Sequence, residues 1–119
     1  MRAYRISERA AATGFDWDNI SSVMEKVKEE LSEFNSALTL KNDEASMEFG
    51  DILFTLVNVA RFARIHPETS LTASIKKFEK RFRYMEKALS EKGKKIENLT
   101  RDEMKLLWEE AKRFYDRNY

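Results

Sequence analysis

Cysteine is absent from the 119 residues, which removes disulfides, thiolate metal sites and a cysteine nucleophile. Three glycines and one proline supply little turn punctuation, so a sandwich or barrel of short strands is disfavoured and helices are expected. No apolar run approaches the ~18 residues of a membrane span, and the N-terminus lacks a signal-peptide core. The expectation is therefore no membrane contact and a cytoplasmic location. Charge of one sign is lacking too: 22 basic against 21 acidic residues leave a net +1. That gives no overall pull towards nucleic acid or an anionic surface, so any anion site must be local. What is present is 42% hydrophobic and 36% charged residues, the balance of a globular chain, read here as a single domain over 1–119.

Four breaks divide the sequence into five helical segments. The first runs from about Arg2 to Thr13, opens without a capping residue, as a piece of a longer chain would, and stops at Gly14. The second, roughly Asn19 to Leu38, carries Ile20, Val23, Met24, Val27, Leu31, Phe34 and Leu38 at 3–4 spacing. After a turn at Lys41-Asn42-Asp43, a third segment spans about Glu44 to Arg64 and ends before His66-Pro67. The fourth, about Thr69 to Lys92, places Leu71, Ile75, Phe78, Phe82, Met85 and Leu89 on a narrow seam and stops at Gly93. Thr100 and Glu103 read as a capping box that opens a fifth helix containing Trp108. The fold class is all-α, an antiparallel bundle of about five helices with short connections.

The third helix carries the chemical signal. Only Thr55, Asn58 and Arg61 are polar between Ile52 and Ala63, so the helix is expected to be buried nearly all round. Yet Glu48, Asp51, Thr55 and Asn58 share one arc of roughly 80° at ~100° per residue. A polar stripe on an apolar helix must face something polar. The second helix offers Lys26, Glu30 and Glu33 in one row, and sequential helices joined by a short turn pack antiparallel. Glu30-x-x-Glu33 can then face Glu48-x-x-Asp51. Four carboxylates in a partly dry cleft repel one another, so either some are protonated or a cation lies among them. Oxygen ligands suit Mg²⁺, Mn²⁺ or Ca²⁺ rather than zinc, and Mg²⁺ is the best suited to sharing its shell with phosphate oxygens. Glu30 and Glu33 taken alone read better as solvated surface partners of Lys26, and Asn58 alone could be a satisfied interior amide. The joint pattern is what points to a metal.

Lys77 and Arg81 stand at i, i+4 beside the fourth helix's seam, spaced to neutralise phosphate, while Lys76, Lys80 and Arg83 read as a solvated face. In the fifth helix Trp108 and Lys112 form another i, i+4 pair. Lys26 and Asn58 border the carboxylates and are candidate substrate contacts. His66 reads as structural. A nucleic-acid polymer is a poor partner, because the aromatics fall where packing explains them. No Gly-rich phosphate loop is present, so phosphate chemistry here would be metal-based.

Taken in order, Gly14-Phe15-Asp16-Trp17, Glu29-Glu30-Leu31-Ser32-Glu33, Glu48-Phe49-Gly50-Asp51, Val57-Asn58-Val59-Ala60-Arg61 and Lys77-Phe78-Glu79-Lys80-Arg81-Phe82 closely resemble the MazG nucleoside triphosphate pyrophosphohydrolases. The likeness is greatest to the C-terminal MazG domain of two-domain proteins. It implies the all-α NTP pyrophosphatase fold, usually dimeric, with Mg²⁺-dependent cleavage of the α–β bond of nucleoside triphosphates to a monophosphate and pyrophosphate. By residue, the resemblance implies Glu30, Glu33, Glu48 and Asp51 as metal ligands and catalytic groups. It implies Lys77 and Arg81 as triphosphate-binding cations, and Trp108 and Lys112 as a pair closing over the nucleotide. Met47 and Ile75 depart from the family, which often has Glu and Asn there.

Two rival readings stand beside this one. Related pyrophosphohydrolases act on phosphoribosyl-ATP or dUTP with the same kind of metal site. In another class altogether, a helical interaction or regulatory module would pair the acidic stripe with a partner's arginines. The apolar third helix and the Phe seam together exceed what one small bundle covers, so a homodimer is expected.

Overall fold

The computed structural model describes residues 1–39 and 43–116. The elements are α1 (Arg2–Ala12), α2 (Ile20–Thr39), α3 (Glu44–Ala63), α4 (Pro67–Glu91) and α5 (Arg101–Asp116), with a single 3-10 turn at Ile96–Asn98 and no strand among the described residues. The helix ends follow from the residues found there. α1 and α4 each close on a glycine of positive φ, +94° at Gly14 and +67° at Gly93. In both, the next amide returns to a carbonyl of the last turn: Phe15 N–H to Ala10 O at 3.2 Å, and Lys94 N–H to Leu89 O at 2.9 Å. At α5 the capping box forms as read, with Thr100 N–H donating to the Glu103 carboxylate at 2.9 Å and Glu103 N–H to Thr100 Oγ1 at 3.2 Å.

Two boundaries differ from the sequence reading. α4 begins at Pro67, not Thr69, because a proline at the first helical position loses no hydrogen bond. His66 caps that turn, its Nδ1 accepting from Thr69 N–H at 3.4 Å, which is the structural role expected of it. α3 stops at Ala63, and Arg64 adopts a left-handed conformation (φ 58°). The turn expected at Lys41-Asn42 lies outside the described residues.

The chain divides into two compact units, Met1–Ser70 and Leu71–Tyr119. In the first, α3 packs against α2 and also against α1. Phe34, late in α2, meets Phe49, early in α3, with ring centroids 5.7 Å apart, so the two helices run antiparallel. Val23, Val27, Ala37, Ile52, Val57 and Ala60 make the buried core of this unit. In the second unit Met85, Leu89 and Ala111 are buried, and Phe78 contacts both Phe82 and Trp108.

Burial of α3 is less complete than its composition implies. Ile52, Thr55, Val57, Asn58 and Ala60 are buried, whereas Phe49, Leu53 and Leu56 remain about half exposed. The α4 seam divides likewise: Met85 and Leu89 are covered, and Leu71, Ile75 and Phe78 are not. Helical periodicity reports that a face needs cover; it does not report that the same chain supplies it.

Candidate functional site

Antiparallel packing of α2 on α3 brings the two acidic rows together. One carboxylate oxygen from each of Glu30, Glu33 and Glu48 lies within 4.8 Å of the others. Glu30 is buried, Glu48 half-buried and Glu33 exposed. Oε2 of Glu30 and Oε2 of Glu48 are both shielded from solvent and have no hydrogen-bond partner in the protein. A buried anionic oxygen left so is costly unless something cationic meets it. Lys26 provides part of the balance, its Nζ 3.5 Å from Glu30 and 3.4 Å from Glu29. Those two carboxylates, Glu29 foremost, raise the lysine's pKa.

Desolvation, then the charge and hydrogen bond of Glu33, then the charges of Glu30 and Asp51, push the Glu48 carboxyl above its ordinary range. Asp51 stands outside the three-oxygen group, yet close enough for its charge to act on Glu48. An all-oxygen donor set, two of its residues carrying a shielded and unpartnered oxygen, fits a hard divalent cation.

The raised Glu48 pKa has a thermodynamic sign. Its charged form is penalised by folding, so the metal-free protein loses stability as pH rises through the folded pKa and regains it on acidification. In chelator-treated samples, thermal melts of wild type against Glu48→Gln should diverge at pH 8, wild type melting lower, and converge towards pH ~5. Millimolar Mg²⁺ at pH 8 should raise the wild-type Tm by roughly several degrees and the variant's by less. A wild-type melt indifferent to Mg²⁺ would count against cation binding here.

Further along the polar face of α3, Thr55 and Asn58 are buried. Asn58 belongs to a closed network: its Oδ1 accepts from Ser7 Oγ of α1 and from Arg61 Nη2 at 3.1 Å, and its Nδ2 donates to Phe54 O at 3.1 Å. Arg61 also donates from Nε to Ser7 Oγ at 2.7 Å and grips Asp16 with both terminal nitrogens, at 3.0 and 2.5 Å. The guanidinium beside Asp16 holds its carboxyl below the ordinary aspartate range. Ser7, Asp16 and Arg61 escaped the sequence reading as a group. The one available signal was Arg61, the sole charged side chain in the apolar run Ile52–Ala63.

The remaining candidates lie in the second unit. Lys77 is exposed on α4. The Arg81 guanidinium sits over the Trp108 ring, 5.5 Å from its centroid. Lys112, one turn on from Trp108, pairs with Glu109 at 3.7 Å.

Residues 18–85 match the profile of the MazG nucleotide pyrophosphohydrolase domain. The chain belongs to the MazG family. The MazG nucleoside triphosphate pyrophosphohydrolase/pyrophosphatase of Thermotoga maritima is 40% identical over 110 residues, covering 92% of this chain and 42% of that protein. The nucleoside triphosphate pyrophosphohydrolase of Escherichia coli K12 is 36% identical over 116 residues, covering 95% of this chain and 44% of its own length. The Bacillus subtilis protein YabN is 51% identical over 65 residues, which cover 55% of this chain and 13% of YabN. This MazG chain thus spans less than half the length of the curated relatives it matches. The MazG-matched segment contains all four acidic residues together with Lys26, Asn58, Lys77 and Arg81; α1, Phe15-Asp16-Trp17, Trp108 and Lys112 fall beyond it.

Proposed function

We propose that this chain hydrolyses nucleoside triphosphates at the α–β bond, releasing a nucleoside monophosphate and pyrophosphate, in a reaction that depends on Mg²⁺, with Mn²⁺ able to replace it. The observation that carries the reading is the convergence of Glu30, Glu33 and Glu48, with two buried unpartnered oxygens, inside the segment matched by the family. Those three residues, with Asp51 beside them, are the groups that would hold the cation. When bound, it supplies Lewis acidity towards phosphate oxygens.

The chain's own residues do the rest. Glu30 from a buried position and Glu48 from a half-buried one each present an oxygen shielded from solvent, while exposed Glu33 has room to swing towards or away from them. Lys26, pinned beside Glu30, places a fixed positive charge at the edge of the acidic group. Asn58, its carbonyl oxygen already engaged, contributes through the shape of the α3 face. Lys77, Arg81, Trp108 and Lys112 are assigned to substrate contacts on the family resemblance. Arg81 suits bidentate phosphate contact and Lys77 point-charge neutralisation.

Pyrophosphate release from a panel of ribo- and deoxynucleoside triphosphates, dUTP and phosphoribosyl-ATP included, with Mg²⁺ and with chelator, tests this. Turnover of several triphosphates that vanishes in chelator is expected. No release from any of them sinks the reading, and release from phosphoribosyl-ATP or dUTP alone transfers it to those substrates.

We further propose that two copies pair through the exposed apolar side chains of α2 and α3, Met24, Leu31, Phe49, Leu53 and Leu56 among them. Light scattering at micromolar concentration should give twice the chain's 14.1 kDa; a monomer contradicts it.

A further inference from the structure

Among the described residues Arg64 alone, glycines apart, has a positive φ, 58°, at the left-handed position that closes α3. A side chain makes that conformation costly, whereas glycine adopts it freely. No contact within the protein accounts for an arginine there. Its side chain is exposed and has no ion-pair or hydrogen-bond partner among the described residues.

Arg64 lines a cavity of about 430 Å³ between the start of α1 and the turn from α3 to α4, together with Tyr4, Arg5, Glu8 and His66. Arg5 is likewise exposed and unpartnered among the described residues. On α1, Arg2, Arg5 and Arg9 share an arc of about 60° at ~100° per residue, in a row about 10 Å long. Arg2 and Arg9 have no ion-pair partner among the described residues either. The acids nearby are Glu8 and Glu68, and Glu68 faces the α-amino group of Met1 at 4.0 Å. The other described basic side chains of this unit are all paired: Lys26 with Glu29 and Glu30, Lys28 with Glu25, and Arg61 with Asp16. Positive charge is thus gathered along α1 and beside it with little to offset it.

The cavity is rich in donors. Each guanidinium presents its N–H groups as a planar fork. His66 Nδ1 accepts from Thr69 N–H at 3.4 Å, which leaves the ring proton on Nε2 as a further donor. Tyr4, whose ring stacks on His66 with centroids 6.5 Å apart, adds a hydroxyl. Two arginine forks suit phosphate oxygens, which accept such bonds in pairs. The volume lies in the range of small-molecule sites and exceeds what a single phosphate needs. Arg64 stands thirteen residues past Asp51 on α3, about 20 Å at 1.5 Å each, too far for one triphosphate to reach both ends.

We propose that Arg5 and Arg64, with Arg2 and Arg9 beside them, form a second anion site that takes a di- or triphosphate group without a metal, apart from the acidic residues of α2 and α3. The phosphates can be free or carried by a nucleotide, since the arginines recognise the same oxygens in both.

Titration calorimetry on the full chain, in buffer stripped of divalent ions over chelating resin, tests this. The probes are inorganic tripolyphosphate, pyrophosphate, ATP and a hexaglutamate peptide. Tripolyphosphate should bind one equivalent per chain, and Arg5→Gln or Arg64→Gly should each weaken it roughly tenfold. Tighter binding of ATP than of tripolyphosphate assigns the site to a nucleotide's phosphates, and the reverse order to a free chain. Binding of no phosphate probe overturns the proposal, as does binding that neither substitution weakens. Hexaglutamate bound as tightly as tripolyphosphate overturns it in favour of an acidic peptide. Arg64→Gly should also raise the Tm by roughly 2–5 °C, because glycine relieves the left-handed backbone. A fall in Tm would show that Arg64 serves the fold, and would overturn its assignment to a ligand.

Discussion

Glu48→Gln is expected to cut pyrophosphate release by roughly a thousandfold or more while leaving the helical content of the protein intact. The argument is electrostatic. Glu48 is the one residue of α3 whose oxygen meets Glu30 and Glu33 of α2, so removing its charge dismantles the group from one side. Glutamine keeps the size of the side chain and offers a neutral oxygen, a far poorer donor to a hard divalent ion. In metal-free protein the same substitution removes the desolvated charge, and with it the repulsion from Glu33, Glu30 and Asp51, that together raise the Glu48 pKa, so the variant should melt no lower than wild type, and higher at alkaline pH. Activity lost while stability is gained is the signature of a functional charge; a misfolded variant loses both. Asp51→Asn should follow in activity, with a smaller stability gain, since the Asp51 charge acts on Glu48 more weakly than those of Glu33 and Glu30. Wild-type turnover by Glu48→Gln removes the acidic group from the mechanism altogether.

The second large effect falls on stability. Arg61→Ala should cost about 2–4 kcal/mol, because it leaves Ser7 and Asn58 partly unpaired in the interior and releases Asp16. For a chain of this size that is a fall in Tm of roughly 10 °C. The pH dependence has a definite sign. Asp16 has a folded pKa below its unfolded one, so its pairing stabilises the protein above the unfolded pKa and is lost as pH falls through the folded value. The gap between wild type and Arg61→Ala should therefore narrow below pH ~4. A gap independent of pH down to acid unfolding would mean that the interior hydrogen bonds carry the whole effect. A Tm unchanged at neutral pH would mean that the network contributes nothing.

Which features could be read from the sequence depends on the range of the interactions that make them. Helices α1 to α5 follow from apolar spacing and from local stop and start signals at Gly14, Gly93 and Thr100, all of which act within one or two turns. The meeting of Glu30 and Glu33 with Glu48 was legible for a similar reason: each row is periodic, and a short joint between adjacent helices leaves only one way to pack them. The Ser7–Asn58–Arg61–Asp16 network was not. It joins α1 and an irregular connection to the end of α3 across some fifty residues, and no periodicity marks either partner. Pro67 was read as a barrier when it is an opening, because the ring that ends one helix also fits the first turn of the next. That the third helix and the Phe seam carry more apolar surface than a small bundle covers was legible. That Phe49, Leu53 and Phe78 are the side chains left exposed was not, since a spacing rule does not say which residues of a face find cover.

The three converging carboxylates all come from one helical hairpin, α2 and α3, between Glu30 and Glu48. Contacts so near in sequence close early during folding, before chain segments further off can be recruited. The mutual repulsion of these groups is then present while the hairpin is still forming. Refolding in the presence of a divalent ion, the cation proposed for this group, should accordingly be faster than in chelator.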